Sequence, residues 1–135
     1  MYAIKTAIVD PAATSWTFPA QKTMYGGKRI VVCDTLFVFA SENQGGSGLI
    51  ACGVVTAAEA IPKIPGIERQ TPRGSVTVKR TAVAKRRLGR DELKAFKAWT
   101  DGRPETELNF KLYRQATNKI IGVSAQTVAF LSEFF

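Results

Sequence analysis

The chain has 135 residues, of which 45% are hydrophobic, 10% aromatic and 22% charged, a composition that predicts a single globular domain over residues 1–135. It contains no histidine, which excludes Ser-His-Asp and Cys-His catalytic arrangements and removes the commonest metal ligand. Its two cysteines, Cys33 and Cys52, lack the Cys-x-x-Cys spacing of a zinc site. We therefore predict no catalytic residues, no metal and no cofactor.

Neither a membrane span nor a signal peptide is evident in the sequence. No apolar run approaches the length of a span, and residues 1–11 lack the basic start, long apolar centre and cleavage site of a signal peptide. These observations predict a cytoplasmic protein without membrane contact. In that compartment we expect Cys33 and Cys52 to be free, buried thiols, with a disulfide as the lesser alternative.

The first third of the chain predicts one strand followed by irregular structure. Residues 2–9 are suited to a strand, which ends before Pro11 because the residue preceding a proline avoids helical backbone. Trp16 follows in a short aromatic segment. Residues 20–29 predict a loop with one helical turn, broken by two consecutive glycines.

The central stretch predicts a β-hairpin over residues 36–55. Two apolar runs, 36–40 and 49–55, flank a polar, glycine-rich turn at 41–48. The first run is apolar on both strand faces, which is typical of a strand in a barrel or a covered sheet. Gly53 interrupts the second run and indicates a bulge or a close backbone approach. The polar turn is a candidate site, because functional residues concentrate on loops held by a rigid scaffold.

Beyond the hairpin, the periodicity changes several times. A helical turn is predicted at 57–60, followed by a proline-rich loop at 61–74 and a strand at 75–83. A helix is predicted from about 88 to 102, with Leu93, Phe96 and Trp99 on its apolar face. Strands at 108–114 and 119–123 follow, and a closing helix begins after an N-cap at Ser124. About six short strands with few helices and no regular βαβ alternation predict an α+β protein, a small mixed β-barrel with flanking helices.

The net positive charge of the chain comes from its second half. The formal net charge is +8, and residues 69–135 hold fourteen basic and six acidic side chains, whereas residues 1–68 are neutral. The densest basic run is Lys79, Arg80, Lys85, Arg86, Arg87 and Arg90. This run is either a solvated strand edge or the footprint of a polyanion.

Several motifs, in the same order and at similar spacing, resemble the EVE domain of the PUA-like superfamily. They are FVFAS at 37–41, GLIACGVV at 48–55, Leu88 followed by ELK at 92–94, Arg114-Gln115 with Asn118 and Ile120, and the apolar helix at 128–135. Residues 19–35 depart from the family pattern, which often has an Arg-Asn-rich helix there. The resemblance implies a barrel that binds DNA or RNA and takes a modified base into an aromatic and polar pocket.

The resemblance also implies roles for individual residues. The candidate stacking platforms are Trp16, Tyr25 and Phe39. The candidate readers of the base edge are Ser41, Asn43, Gln115 and Asn118. The candidate contacts to the nucleic-acid backbone are Lys79, Arg80, Lys85, Arg86, Arg87, Arg90 and Arg114. Alternatives remain for each kind: Trp16 as core packing, Ser41 and Asn118 as turn residues, and Arg114 in an ion pair with Glu42 or Glu107. A small-molecule-binding or weakly catalytic domain, or a protein-interaction module, is the alternative function.

Overall fold

A computed structural model describes residues 1–98, 100–114 and 118–135. Within these ranges the strands form a closed barrel in the order β1-β3-β4-β5-β2-β6. The strands are β1 (Tyr2–Thr6), β2 (Ser15–Met24), β3 (Thr35–Ala40), β4 (Gly48–Ile61), β5 (Arg73–Val83) and β6 (Lys119–Gly122). β1 pairs in parallel with β3, β2 pairs in parallel with β6, and the other neighbours are antiparallel. The predicted mixed β-barrel is therefore confirmed.

Short helices cover one outer face of the barrel. They are α1 (Arg90–Leu93), α2 (Pro104–Leu108), which continues as a π-helical turn (Asn109–Tyr113), and α3 (Ala125–Ser132). Two 3₁₀ turns, Gly27–Arg29 and Glu42–Gln44, complete the helical elements of the described residues. In these ranges, no helix has both the length and the apolar character that a membrane crossing requires.

The barrel has two hydrophobic cores because β3 is apolar on both faces. Leu36 and Val38 point into the barrel and pack with Ile4, whereas Phe37 and Phe39 point outward beneath the helices. The outer core contains Leu93, Leu108, Leu112, Leu131 and Phe134, all of them buried. The two-faced burial predicted for residues 36–40 is confirmed.

The central hairpin and the closing helix follow the prediction in detail. Residues 36–55 form β3 and most of β4, joined by the turn at 41–48. The pairing of β4 with β5 is interrupted beside Gly53, where an added Cβ would lie 2.4 Å from the carbonyl oxygen of Lys79, so the bulge and the close approach are both present. Ser124 caps α3 by accepting a hydrogen bond from the backbone N–H of Thr127 at 3.2 Å.

Five local predictions are wrong. Residues 20–24, predicted as a loop, belong to β2, which pairs with β5 and β6. Of the structure predicted for 20–29, the helical turn is present, at Gly27–Arg29. Residues 57–60 are strand, because β4 continues to Ile61 alongside β5. The predicted helix at 88–102 shrinks to Arg90–Leu93, and Trp99 lies outside the described residues. The two cysteines are free as predicted, but Cys33 is exposed and Cys52 only half-buried.

The fifth error concerns residues 108–114, which are helical rather than extended. Leu108 and Leu112 are both fully buried at helical i, i+4 spacing, whereas Phe110 between them is 37% exposed. The alternation of Leu108, Phe110 and Leu112 favours a strand when only these residues are considered. Burial of Asn109, which a strand would place on the wet face, is the observation that separates the two periodicities.

Candidate nucleic-acid interface

The turn after β3 is fixed tightly to the end of β1. The backbone N–H of Ser41 donates to the carbonyl oxygen of Thr6 at 2.9 Å, and the carbonyl oxygen of Ser41 accepts from the N–H groups of Gln44 and Gly46. Ser41 itself is only 2% exposed. The polar side chains that follow are therefore held on a rigid turn at the edge of the apolar outer core.

Glu42 connects this turn to two helical segments. One carboxylate oxygen accepts from the phenolic O–H of Tyr113 at 3.1 Å, and the other accepts from the backbone N–H of Arg90, in the first turn of α1, at 2.6 Å. Burial, together with the neighbouring Glu42 charge, raises the pKa of Tyr113 far above its usual value, so the ring stays neutral. The arrangement places a carboxylate acceptor beside a partly buried aromatic ring.

Lys5 brings a cation to the same cluster from β1. It is only 4% exposed, and its ammonium lies 4.7 Å from the centroid of the Tyr113 ring. Burial lowers the pKa of Lys5, and the negative charge of Glu42 opposes that effect. A buried cation is unusual, because charged side chains are seldom buried without a partner or a function.

Lys5 is the first member of a row of four basic residues in direct cross-strand register, which we call the lysine row. Lys5 on β1 pairs with Lys119 on β6, Lys119 pairs with Lys22 on β2, and Lys22 pairs with Arg73 on β5. Neighbouring strands lie about 4.8 Å apart, so the row spans about 14 Å. Its outward direction follows from Ile121, two residues after Lys119, which lies in the outer core.

The lysine row carries an electrostatic cost. Lys119 is fully buried, and this burial, together with the charges of Lys5 and Lys22, lowers its pKa to about 8. Like charges directly opposite each other on neighbouring strands destabilise a sheet.

The amide side chains join the turn to its neighbours. The side-chain oxygen of Asn43 accepts from the guanidinium of Arg90, and the amide of Asn118 donates to the side-chain oxygen of Gln44 at 2.6 Å. Three of the four predicted edge readers, Ser41, Asn43 and Asn118, therefore lie on or against one turn. The fourth, Gln115, lies outside the described residues.

The structure does not bring the three predicted stacking platforms together. Trp16 is 8% exposed and lies inside the barrel against Phe18, where its indole N–H donates to the carbonyl oxygen of Asp10 at 3.0 Å. Phe39 is fully buried on the opposite face of the sheet, in the outer core. The core-packing alternative thus describes the observed position of Trp16, and these two rings do not face one pocket.

Tyr25 lies at the far end of β6 from Lys119. Its carbonyl oxygen accepts from the N–H of Gly122, and its ring contacts Phe110 edge-on with centroids 6.2 Å apart. The aromatic ring that the structure places at the Glu42 turn is Tyr113, which the sequence analysis missed. In a helix, Tyr113 lies one turn after the buried Asn109 and shares its face. A strand would instead place both residues on the wet face.

Part of the predicted cationic run forms a groove beside the same turn. Lys85, Arg86 and Arg87 line a cavity of about 430 Å³ together with Ser47 and Leu49 of the turn and β4. The guanidinium of Arg86 lies 4.5 Å from the centroid of the Phe134 ring, and that of Arg87 lies 3.4 Å from a carboxylate oxygen of Glu92. Two of the cations predicted to contact the nucleic-acid backbone, Arg86 and Arg87, therefore already interact with neighbouring side chains.

The other predicted cations are more scattered. Lys79 is exposed on β5, and Arg80 donates to the carbonyl oxygen of Ala12 at 3.2 Å, at the end of the barrel. Arg114 is exposed after the π-helical turn. The carboxylate of Glu107, a proposed partner of Arg114, instead accepts hydrogen bonds from Lys111 and from the residues that begin α3, Ser124 and Thr127.

Solved structures with the same fold span nearly the whole chain. The DUF55 domain of human thymocyte nuclear protein 1 is 14% identical, has a TM-score of 0.63 and covers 98% of this chain and 96% of its own. This chain has the EVE (DUF55) fold. A protein from Pseudomonas putida gives the same TM-score of 0.63 at 14% identity, covering 98% of this chain and 97% of its own.

The EVE-fold structures include one with nucleic acid. Human THYN1 protein in complex with 5-methylcytosine-containing DNA is 13% identical to this chain, has a TM-score of 0.59 and covers 98% of this chain and 95% of its own. At these identities the likeness concerns the fold. No protein-family model matches the sequence, and none of the curated proteins matches it.

Proposed function

We propose that this EVE-fold chain binds nucleic acid and holds one base, turned out of its stack, at the Glu42–Tyr113 cluster beside the 41–48 turn. The observation that carries the proposal is the groove beside this turn, in which Lys85, Arg86 and Arg87 lie next to Ser47 and could hold phosphates. The fold likeness to a protein solved with 5-methylcytosine-containing DNA supports the same class of ligand.

The cluster has the chemistry that an extrahelical base requires. Tyr113 offers an aromatic ring, and the carboxylate of Glu42 is an acceptor suited to the exocyclic amino group of cytosine. Ser41, Asn43 and Asn118 add polar side chains at the same turn. We infer that these groups contact the edge of the base, and that Tyr113 rather than Trp16 or Phe39 supplies the stacking surface.

Cations lie on both sides of this cluster. The groove with Lys85, Arg86 and Arg87 begins at Ser47 in the turn, and the lysine row begins at Lys5 beneath Tyr113. A strand that crosses the turn would therefore have phosphates near basic side chains before and after the held base. Phosphate contacts fix position, and base contacts carry the specificity.

The direct test compares matched oligonucleotides that contain 5-methylcytosine, cytosine or an abasic site at one position. Binding by fluorescence anisotropy should favour either base over the abasic strand by about 5- to 100-fold, since stacking and edge contacts contribute about 1–3 kcal/mol per base. Glu42→Gln should remove much of that preference, whereas the control Glu105→Gln on α2 should not. Equal affinity for the base-containing and abasic strands would overturn the proposal of a held base.

The salt dependence separates nucleic-acid binding from the small-molecule alternative. The logarithm of the binding constant should fall linearly with the logarithm of salt concentration, by about 0.9 for each phosphate neutralised on duplex DNA. The absence of measurable affinity for any oligonucleotide, or an affinity that does not change with salt, would favour the alternative of a domain that binds a small neutral molecule.

A further inference from the structure

The β4–β5 hairpin extends past the part of the sheet that pairs with β3. β3 pairs with β4 only as far as Val54, whereas β4 continues to Ile61 opposite Arg73 of β5. The loop between Ile61 and Arg73 forms the tip of this ribbon. This proline-rich loop lies outside the cluster proposed to hold the base.

The tip is ordered by one side chain and presents apolar groups to solvent. The amide of Gln70 accepts from the backbone N–H of Ile64 at 2.9 Å and donates to the carbonyl oxygens of Ile64 and Ile67 at 2.7 and 2.9 Å. Yet the two isoleucines are 62% and 52% exposed. Exposed apolar side chains on a loop that is ordered by hydrogen bonds indicate a contact surface.

Basic residues flank the apolar tip, and Glu68 is the one acidic side chain of the loop between Ile61 and Arg73. Lys22, Lys63, Arg69 and Arg73 line a cavity of about 340 Å³ together with Ile61, Ile64 and Ile67, and none of the lining residues is acidic. An apolar wedge flanked by Lys and Arg is the combination with which ribbons and arms enter a nucleic-acid groove and partly unstack a base step. The charge favours a polyanion over a neutral protein surface.

The tip is connected to the site already described. Lys22 and Arg73 are the last two members of the lysine row, which begins at Lys5 beneath Tyr113. The row spans about 14 Å, which corresponds to about four nucleotide steps of 3.4 Å along a duplex. One nucleic-acid strand can therefore contact the cluster and the hairpin together.

We propose that the tip of the β4–β5 hairpin is a second nucleic-acid contact, in which Ile64 and Ile67 press into a base step while Lys63, Arg69 and Arg73 hold the flanking phosphates. This inference rests on the proposed function for its ligand class, but it names a different surface and does not require that a base be held at Glu42 and Tyr113.

The experiment uses two pairs of variants and an unmodified DNA duplex. Ile64→Ala with Ile67→Ala should weaken binding at least fivefold at an unchanged salt slope, because the change removes apolar contacts only. Its control, Val31→Ala with Val32→Ala, removes two side chains that are 58% and 51% exposed elsewhere and should bind as wild type. Thermal melts should show all four alanine substitutions folded.

The charge pair tests the phosphate contacts separately. Lys63→Gln with Arg69→Gln should reduce the salt slope by about two, from about 0.9 per contact, whereas the control Lys97→Gln should leave it unchanged. In addition, 2-aminopurine placed at each position of the duplex should brighten at the step that the isoleucines enter, and should lose that signal with the isoleucine variant.

The outcomes separate this inference from the proposed function. If base-containing and abasic strands bind equally but the hairpin variants still lose affinity, the hairpin contact holds and the held base does not. If the hairpin variants bind within twofold of wild type, the hairpin inference is overturned whatever the abasic comparison shows. If those variants instead alter the sedimentation of the free protein and leave DNA affinity unchanged, the tip is a contact between copies of the chain and the inference is overturned.

Discussion

Replacing Lys119 by methionine should make the protein more stable at neutral pH. Lys119 is fully buried, and its pKa is lowered from 10.5 to about 8. Each pKa unit corresponds to about 1.36 kcal/mol, so keeping the ammonium charged in the folded state costs on the order of 3 kcal/mol. Methionine has a similar length and no charge, so the substitution should recover about 1–3 kcal/mol after the losses of packing and of the contacts that the lysine makes.

The sign of the pH dependence follows from the lowered pKa. Below pH 8 the lysine is charged in both states, and the folded state bears the whole cost. Between about pH 8 and 10.5 the folded state releases the proton while the unfolded state keeps it, so the free energy of unfolding rises with pH. The stability advantage of Lys119→Met should therefore be largest at pH 7 and shrink towards pH 10.

The assay is urea denaturation of wild type and variant at pH 7, 8, 9 and 10, since the difference between the curves cancels other titrating groups. Lys97→Met serves as the exposed control and should change neither stability nor DNA affinity. A variant that is less stable than wild type at pH 7, or a difference that does not change with pH, would refute the electrostatic reasoning.

Three further predictions concern other parts of the chain. Arg86→Glu with Arg87→Glu should lower DNA affinity and reduce the salt slope by about two, and an unchanged slope in an anisotropy titration would assign these residues to a solvated edge. Hydrogen bonds outweigh burial and lower the pKa of Glu107, so Glu107→Gln should cost about 1–3 kcal/mol by denaturant unfolding at pH 7; that loss should vanish as the pH falls through the lowered pKa, and a pH-independent loss would contradict it. Gly53→Ala should destabilise by more than about 1 kcal/mol, because its Cβ would lie 2.4 Å from the backbone oxygen of Lys79, and an unchanged melting temperature would refute that contact.

Sequence patterns predicted those elements whose burial shows in the spacing of apolar residues within a few positions of one another. The two-faced run at 36–40 indicated a covered strand, and Ser124 followed by spaced apolar residues indicated α3. Residues 20–24 escaped detection because their pairing is decided by β5 and β6, far away in the sequence. The alternation at 108–114 was consistent with two periodicities, and burial of Asn109 distinguishes them only in the structure.

The candidate site was harder to predict than the barrel. Ser41 and its polar neighbours could be identified because they interrupt an apolar hairpin. The lysine row could not, since Lys5, Lys22 and Lys119 are far apart in sequence and only the strand register aligns them. Trp16 and Phe39 were grouped as aromatics near the same strands, but the face of a sheet on which a ring lies depends on that same register.

The position of β6 in the chain has a consequence for synthesis on the ribosome. β6 closes the barrel by pairing with both β1 and β2, yet it is made more than a hundred residues after β1. Until residue 122 has emerged, the nascent chain presents two unpaired strand edges, one of them flanked by the apolar face of β3. Such edges recruit other extended chains, and contacts so distant in sequence form slowly. We therefore expect nascent chains that stop short of β6 to be the species that depends on chaperones, and ribosomal pausing before residue 119 to lower the yield of native protein.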